Sequence, residues 1–295
     1  MTLIEWLQAS PIAFTIVVLV TGLMIGSFLN VVILRLPVMM EREWRAQCHE
    51  FLHPDTPPPA EEQAAKKPFN IVFPASHCPK CQHAIAPWDN IPVFSYLLLR
   101  GKCRHCQAKI SVRYPLVEAF TAITSAWVAW RFGFTWETAA ALFLTWTLIA
   151  LSMIDFDHQL LPDSMTLPLV WIGLLLSLSG LYTDPASSII GGAAGYLSLW
   201  TIYHLFKLIT GKEGMGYGDF KLFAAFGAWF GWQCLPAVIL LSSLVGAVVG
   251  ISLILFLGRD RNVPIPFGPY LAAAGWVYMI WGDAITRWYL TSLTP

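Results

Sequence analysis

Charge is what this sequence has least of. Only 12% of its 295 residues are Asp, Glu, Lys or Arg, where soluble domains carry about 25%. So few charges cannot coat a globule of this length, and a bilayer must be part of the solvent. An excess of either sign is lacking too, because 18 Lys and Arg balance 18 Asp and Glu. That balance excludes a basic nucleic-acid binder and a disordered polyelectrolyte. The first apolar run is too long for a signal peptide and has no small-residue cleavage site, so it is expected to persist as a helix.

What is present is apolar, at 56% of residues, and the charges are unevenly placed. Trp6 to Leu34 contains none, enough to cross a hydrocarbon core of ~30 Å as a helix. Arg35 to Arg113 then holds 11 of the 18 Lys and Arg, four of the six Cys and the run Thr56-Pro57-Pro58-Pro59. This stretch reads as a soluble insert. Charge-poor segments resume near 115–130, 138–154, 164–182, 186–206, 220–258 and 264–286. Leu222–Gly258 would span about 55 Å as one helix, so a break is expected at Gly231-Trp232-Gln233. The expectation is an all-α polytopic membrane bundle of about eight transmembrane helices, organised as a first helix (1–36), an insert (37–114) and a helix bundle (115–295). With the insert in the cytoplasm, Lys207, Lys212, Lys221, Arg259 and Arg261 join it there. Only Arg131 and Arg287 fall outside, and both termini are periplasmic. The pairs Gly22/Gly26, Gly191/Gly195, Gly227/Gly231 and Gly246/Gly250 suggest close helix packing.

Cys78-Pro79-Lys80-Cys81 and Cys103-Arg104-His105-Cys106 form two C-x-x-C pairs. Two such knuckles can complete a tetrahedral site, with Cys78, Cys81, Cys103 and Cys106 as ligands of a structural zinc. Disulfides are the competing reading, and a cytosolic location argues against them. All four positions would be protein ligands, leaving no open position for metal catalysis. Cys48 and Cys234 read as structural. His49, His53, His77, His83 and His105 read as solvated loop residues, and His204 and Glu213 as interfacial ones.

Acidic residues at membrane edges are functional candidates, with helix capping as the ordinary alternative. Asp163 precedes an apolar run, so an N-cap is its better explanation. Asp155 and Asp157 close a helix, where the dipole disfavours them. Asp219 follows three glycines, Gly214, Gly216 and Gly218, whose bare backbone can take unusual dihedrals or admit a substrate strand. Two crossings separate Asp155 from Asp219, so both can meet at the cytoplasmic edge. An acidic pair can share a proton and activate water. From these residues alone, an intramembrane aspartyl protease and a proton-coupled transporter stand level. A zinc-bearing scaffold explains the insert but not the aspartates.

The residues as a set resemble the bacterial type IV prepilin peptidases, or leader peptidase/N-methyltransferases. The likeness covers Gly26-Ser27-Phe28-Leu29-Asn30-Val31-Val32, Arg35-Leu36-Pro37, both cysteine pairs and Arg113-Tyr114-Pro115-Leu116-Val117-Glu118. It continues through Asp155–Asp163, Gly216-Tyr217-Gly218-Asp219 and Pro266-Phe267-Gly268-Pro269. The resemblance implies cleavage of the basic leaders of prepilins and type II secretion pseudopilins, with Asp155 and Asp219 as the catalytic pair. It also implies N-methylation of the new terminus from S-adenosylmethionine, an activity it places in the N-terminal part and the insert. No G-x-G-x-x-G opens a Rossmann unit, so that cofactor needs an unconventional site. Glu118 is the leading candidate for the methyl-transfer site, by holding or deprotonating the substrate amine, with an ion pair to Arg113 as the alternative. Gly26, Asn30 and Arg113 are further candidates. The implied location is the bacterial inner membrane.

Overall fold

The computed structural model describes residues 2–54, 69–258 and 265–293. The Thr56–Pro59 run, Arg259 and Arg261 lie outside them. The described residues are helical, with two isolated β-bridges and no strand. Ten α-helices follow in order: α1 Leu3–Ala9, α2 Pro11–Leu52, α3 Phe94–Leu98, α4 Arg113–Phe132 and α5 Trp136–His158, then α6 Asp163–Ser177, α7 Pro185–Thr210, α8 Tyr217–Phe230, α9 Leu235–Leu257 and α10 Gly268–Leu293. Eight of these, α2 and α4–α10, occupy the apolar segments read from the sequence. Four spans, Pro11–Leu52, Trp136–His158, Pro185–Thr210 and Trp232–Phe256, are long and apolar enough to cross a membrane by themselves. The chain divides into two compact units, Met1–Trp127 and Val128–Pro295.

In the first unit, the Ser10 hydroxyl accepts the Ala13 N–H at 3.4 Å, and Pro11 at the first helical position starts α2 afresh. The helix has 42 residues, roughly 63 Å. It runs past residue 36 to Leu52, carrying Pro37 inside it. The added length, Val38–Leu52, is rich in Met, Glu, Arg, Ala and Gln, which are strong helix formers, and an i,i+4 ion pair joins Glu41 to Arg45. On the apolar half, a Cβ added at Gly22 would lie 2.8 Å from Ala122 Cα, and one at Gly26 2.7 Å from Glu118 Cα. These glycines let α2 and α4 touch backbone to backbone. Along the same face Asn30, buried, donates from Nδ2 to Tyr114 O at 3.1 Å.

The second unit is built around α8, whose residues Phe220 and Leu222–Trp229 are all buried. At 14 residues it is about 21 Å long, short of the ~30 Å apolar core, so it relies on neighbours to enclose its ends. The tightest of these contacts is with α7: a Cβ at Gly191 would fall 2.3 Å from Gly227 O, and one at Gly227 2.1 Å from Gly191 O. Trp229 Nε1 donates to Leu169 O of α6 at 2.8 Å, and a Cβ at Gly173 would meet that indole at 2.5 Å. The apolar run of 222–258 breaks where expected, at Gly231 with φ +80°, followed by a 3₁₀ turn at Trp232–Cys234. A Gly227→Val substitution has no space to occupy and is expected to destabilise the second unit by about 2 kcal/mol or more. A markedly lower thermal midpoint in detergent checks this, and an unchanged midpoint would contradict the contact.

Candidate active site and metal centre

The insert holds two knuckles of the same construction. In the first, Cys78 N donates to His83 O and Gln82 N to Cys78 O; in the second, Cys103 N donates to Ala108 O and Gln107 N to Cys103 O. Gln82 and Gln107 occupy the same left-handed position, at φ 58° and 56°. The turns aim all four sulfurs inward, within 4.8 Å of one another. Cys78 Sγ and Cys106 Sγ stand 3.7 Å apart, and a tetrahedral zinc with bonds of about 2.3 Å needs sulfurs about 3.8 Å apart. The geometry and the soft donor set fit zinc. Backbone N–H groups of Cys81 and then Lys80 hold the Cys78 thiol below its ordinary value, toward the thiolate that binds metal. Beside the site Arg104 grips Asp89 as a fork, Nε to Oδ2 at 2.9 Å and Nη2 to Oδ1 at 2.5 Å. That hydrogen-bonded guanidinium keeps the Asp89 carboxyl below the usual range.

In the second unit Asp155 and Asp219 come together from two helix ends, both buried. Asp155 lies in the last turn of α5, where a negative charge looked misplaced. Its Oδ2 accepts the Gly268 N–H at 3.0 Å, so it sits at the N-terminus of α10 as well. The favourable dipole of one helix offsets the unfavourable end of the other. Asp219 is the third residue of α8, facing the backbone N–H of Gly216, and the charge of Asp155 reaches it. Asp219 Oδ1 is buried and makes no hydrogen bond among the described residues.

The glycines ahead of Asp219 act by packing. Gly216 and Gly218 keep ordinary negative φ, while a Cβ at Gly218 would come 2.5 Å from Leu161 Cβ and one at Gly214 2.9 Å from the Phe206 ring. Leu161 also approaches Gly268, so one side chain packs against both helix starts. Asp163 does not cap α6; Pro162 holds that position, and Asp163 pairs with Lys221 at 2.5 Å. The pair ties the chain after Asp155 to the turn after Asp219. Asp157 is exposed. Glu213 pairs with Lys207 at 2.7 Å, and His204 packs on Trp200.

Glu118 is buried in the first unit, and its Oε2 accepts the Val93 N–H at 2.8 Å, with the Ser27 hydroxyl as second partner. The sequence offered Arg113, the first residue of α4, as its partner; the structure supplies two neutral donors that sequence spacing could not reveal. Gly26 and Asn30 are placed by their contacts with α4, described above. A cavity of about 720 Å³ adjoins Glu118 and is bounded by α2, the knuckles and the start of α4.

Fold and sites together define a polytopic membrane protein with an acidic pair in its bundle and a four-cysteine insert. Comparison with known proteins is specific about which one. The bacterial peptidase A24 N-terminal domain matches residues 20–132, and the type IV leader peptidase family matches residues 142–251. The prepilin leader peptidase/N-methyltransferase of Stutzerimonas stutzeri is 56% identical over 290 residues, 98% of each chain. The protein of the same name from Pseudomonas aeruginosa is 54% identical over 290 residues, also 98% of each. That of Legionella pneumophila is 45% identical over 269 residues, 91% of this chain and 92% of the other. No solved structure matches. The chain belongs to the prepilin leader peptidase/N-methyltransferase family and is an enzyme of that family, which sets aside the transporter and scaffold readings.

Purified protein is expected to hold one zinc per chain by elemental analysis, falling to near zero in Cys78→Ser/Cys106→Ser. Full zinc content in that double variant would contradict the four-sulfur site.

Proposed function

We propose that this enzyme removes the basic leader of type IV prepilins and type II secretion pseudopilins at the cytoplasmic face of the bacterial inner membrane, then methylates the new amino terminus. The insert and both aspartates face the cytoplasm and the termini the periplasm, supported by the basic residues gathered on one side. The observation that carries the protease reading is the meeting of Asp155 and Asp219, two buried acids close enough for one charge to act on the other.

Such a pair holds one proton between its members. The ionised member takes a proton from water, whose oxygen attacks the scissile carbonyl carbon. The protonated member gives its proton to the carbonyl oxygen. The member that took the water's proton passes it to the nitrogen as the C–N bond breaks. The diol hydroxyl returns a proton to the other member, restoring the pair. Gly268 N–H fixes Asp155 by Oδ2, while Asp219 keeps Oδ1 for substrate. The substrate's own apolar helix brings the cleavage site to the membrane edge.

For methylation the residue we assign is Glu118, with Asn30 and Gly26 setting its helix against α2 and Arg113 opening the same helix. When bound, S-adenosylmethionine would supply an electrophilic methyl group to the amine nitrogen and leave as S-adenosylhomocysteine. Glu118 orients the amine and accepts the proton that the nitrogen releases.

Mass spectrometry of a prepilin incubated with the detergent-purified enzyme tests both halves. Leader loss with or without S-adenosylmethionine, and one added methyl only with it, is the expected result. Asp155→Asn and Asp219→Asn should each cut cleavage by at least a thousandfold while methylation of a pre-cleaved substrate survives. Glu118→Gln should do the reverse. Substantial cleavage by either aspartate variant, or normal methylation by Glu118→Gln, would overturn the respective assignment.

A further inference from the structure

Part of the insert carries an apolar face that no described residue covers. Along the 3₁₀ turn Pro87–Asn90 and α3, Trp88, Phe94, Leu97 and Leu98 are exposed by 66, 60, 65 and 84%. The other side of the same stretch is packed: Ser95 is buried, and Tyr96 and Leu99 line the first-unit cavity. A single exposed apolar residue is ordinary, but four large ones gathered on one short stretch mark a contact surface.

Depth identifies what covers that surface. Within the stretch, the Val93 N–H is given to Glu118 at 2.8 Å, and the Ser27 hydroxyl reaches the same carboxyl. Arg35 and Arg113 are where charge begins on α2 and α4. Glu118 stands five residues inside Arg113, about 7.5 Å along the helix. Ser27 stands eight residues inside Arg35, about 12 Å along its own. The antiparallel register, Gly26 against Glu118 and Gly22 against Ala122, sets the two helices level. Val93 therefore lies on the apolar side of both charge boundaries, where α4 already turns Leu116 and Phe120 outward. Irregular backbone is tolerated at such a depth when its polar groups are satisfied, and Glu118 satisfies the Val93 amide.

Charge agrees with depth. From His77 to Arg113 there are six Lys and Arg, and Asp89 is the one acid, held by Arg104. Arg100 and Lys102 follow α3 directly, and Lys109 faces Lys102 across a β-bridge; all three are exposed. Long basic side chains reach anionic headgroups while their apolar neighbours sink, and Trp favours the boundary between the two.

We propose that Trp88–Leu98 lies in the headgroup–acyl boundary of the leaflet that α2 leaves and α4 enters. Trp88, Phe94, Leu97 and Leu98 sit in lipid, and Arg100, Lys102 and Lys109 meet anionic headgroups. The insert that reads as soluble in the sequence is thus in part a membrane-bound element.

Hydroxyl-radical footprinting of the wild-type chain, in nanodiscs holding one copy and no substrate, tests the burial. Phe94 is compared with Phe51 and Trp88 with Trp44, both references being exposed on the charged end of α2. Labelling at Phe94 and Trp88 is expected to fall at least tenfold below its reference, and equal labelling would overturn the proposal. A second measurement identifies the occupant: p-benzoylphenylalanine in place of Leu98 is expected to give lipid adducts on irradiation. Adducts to a second copy or to added prepilin, without lipid, would overturn it. In discs of equal phosphatidylglycerol and phosphatidylcholine, the adducts should be enriched at least twofold in phosphatidylglycerol. Even recovery of the two lipids would overturn the anionic contact.

Discussion

A carboxylate buried inside a membrane bundle must find donors, and the second unit is arranged around meeting that demand twice. Asp155 is held where the end of α5 meets the beginning of α10, and Asp219 lies in the first turn of α8. Helix starts are the one place where a bundle offers unpaired N–H groups to an anion without a cationic side chain. Bringing two such starts to one point requires α8 to be short, enclosed and tightly set. The glycine contacts between α7 and α8, the Trp229 bond to α6 and the Asp163–Lys221 pair all serve that placement.

The same economy of charge governs the first unit. Glu118 is supported by a backbone N–H and a hydroxyl, and the close approach of α2 at Gly22 and Gly26 brings that support within reach. A bulkier residue at Gly26 would move Ser27 and Asn30 away from α4 together. Thus the glycines flagged as packing signals also determine where polar groups land.

Much of this was legible in the sequence because one-dimensional signals suffice for it. Charge-poor runs located the eight helices of the apolar segments, Gly231 announced the break after α8, and C-x-x-C spacing announced the four-sulfur cluster. Other features depend on partners far away in the chain. The partner of Asp155 is a backbone amide at residue 268, and that of Glu118 one at residue 93; neither has a side-chain signature. Pro269, the second residue of α10, was the one hint that Gly268 opens a helix with free amides. Asp163 followed the rule for a cap but was drawn instead into an ion pair with Lys221. The glycines before Asp219 suggested unusual dihedrals, whereas Leu161 demanded only space. The helix also continued past residue 36, because Glu, Arg, Ala and Gln at 41–47 sustain it in water as well as apolar residues do in lipid.

The two knuckles match each other over ten residues, Ser76–Ile85 against Gly101–Ile110, with the same bridges and the same left-handed glutamine. Neither half closes a metal site alone. During synthesis, then, the first knuckle must wait, with α2 already made, until the second has left the ribosome. Only three residues later α4 begins. The order of translation thus brings the four sulfurs together only at the threshold between one membrane helix and the next.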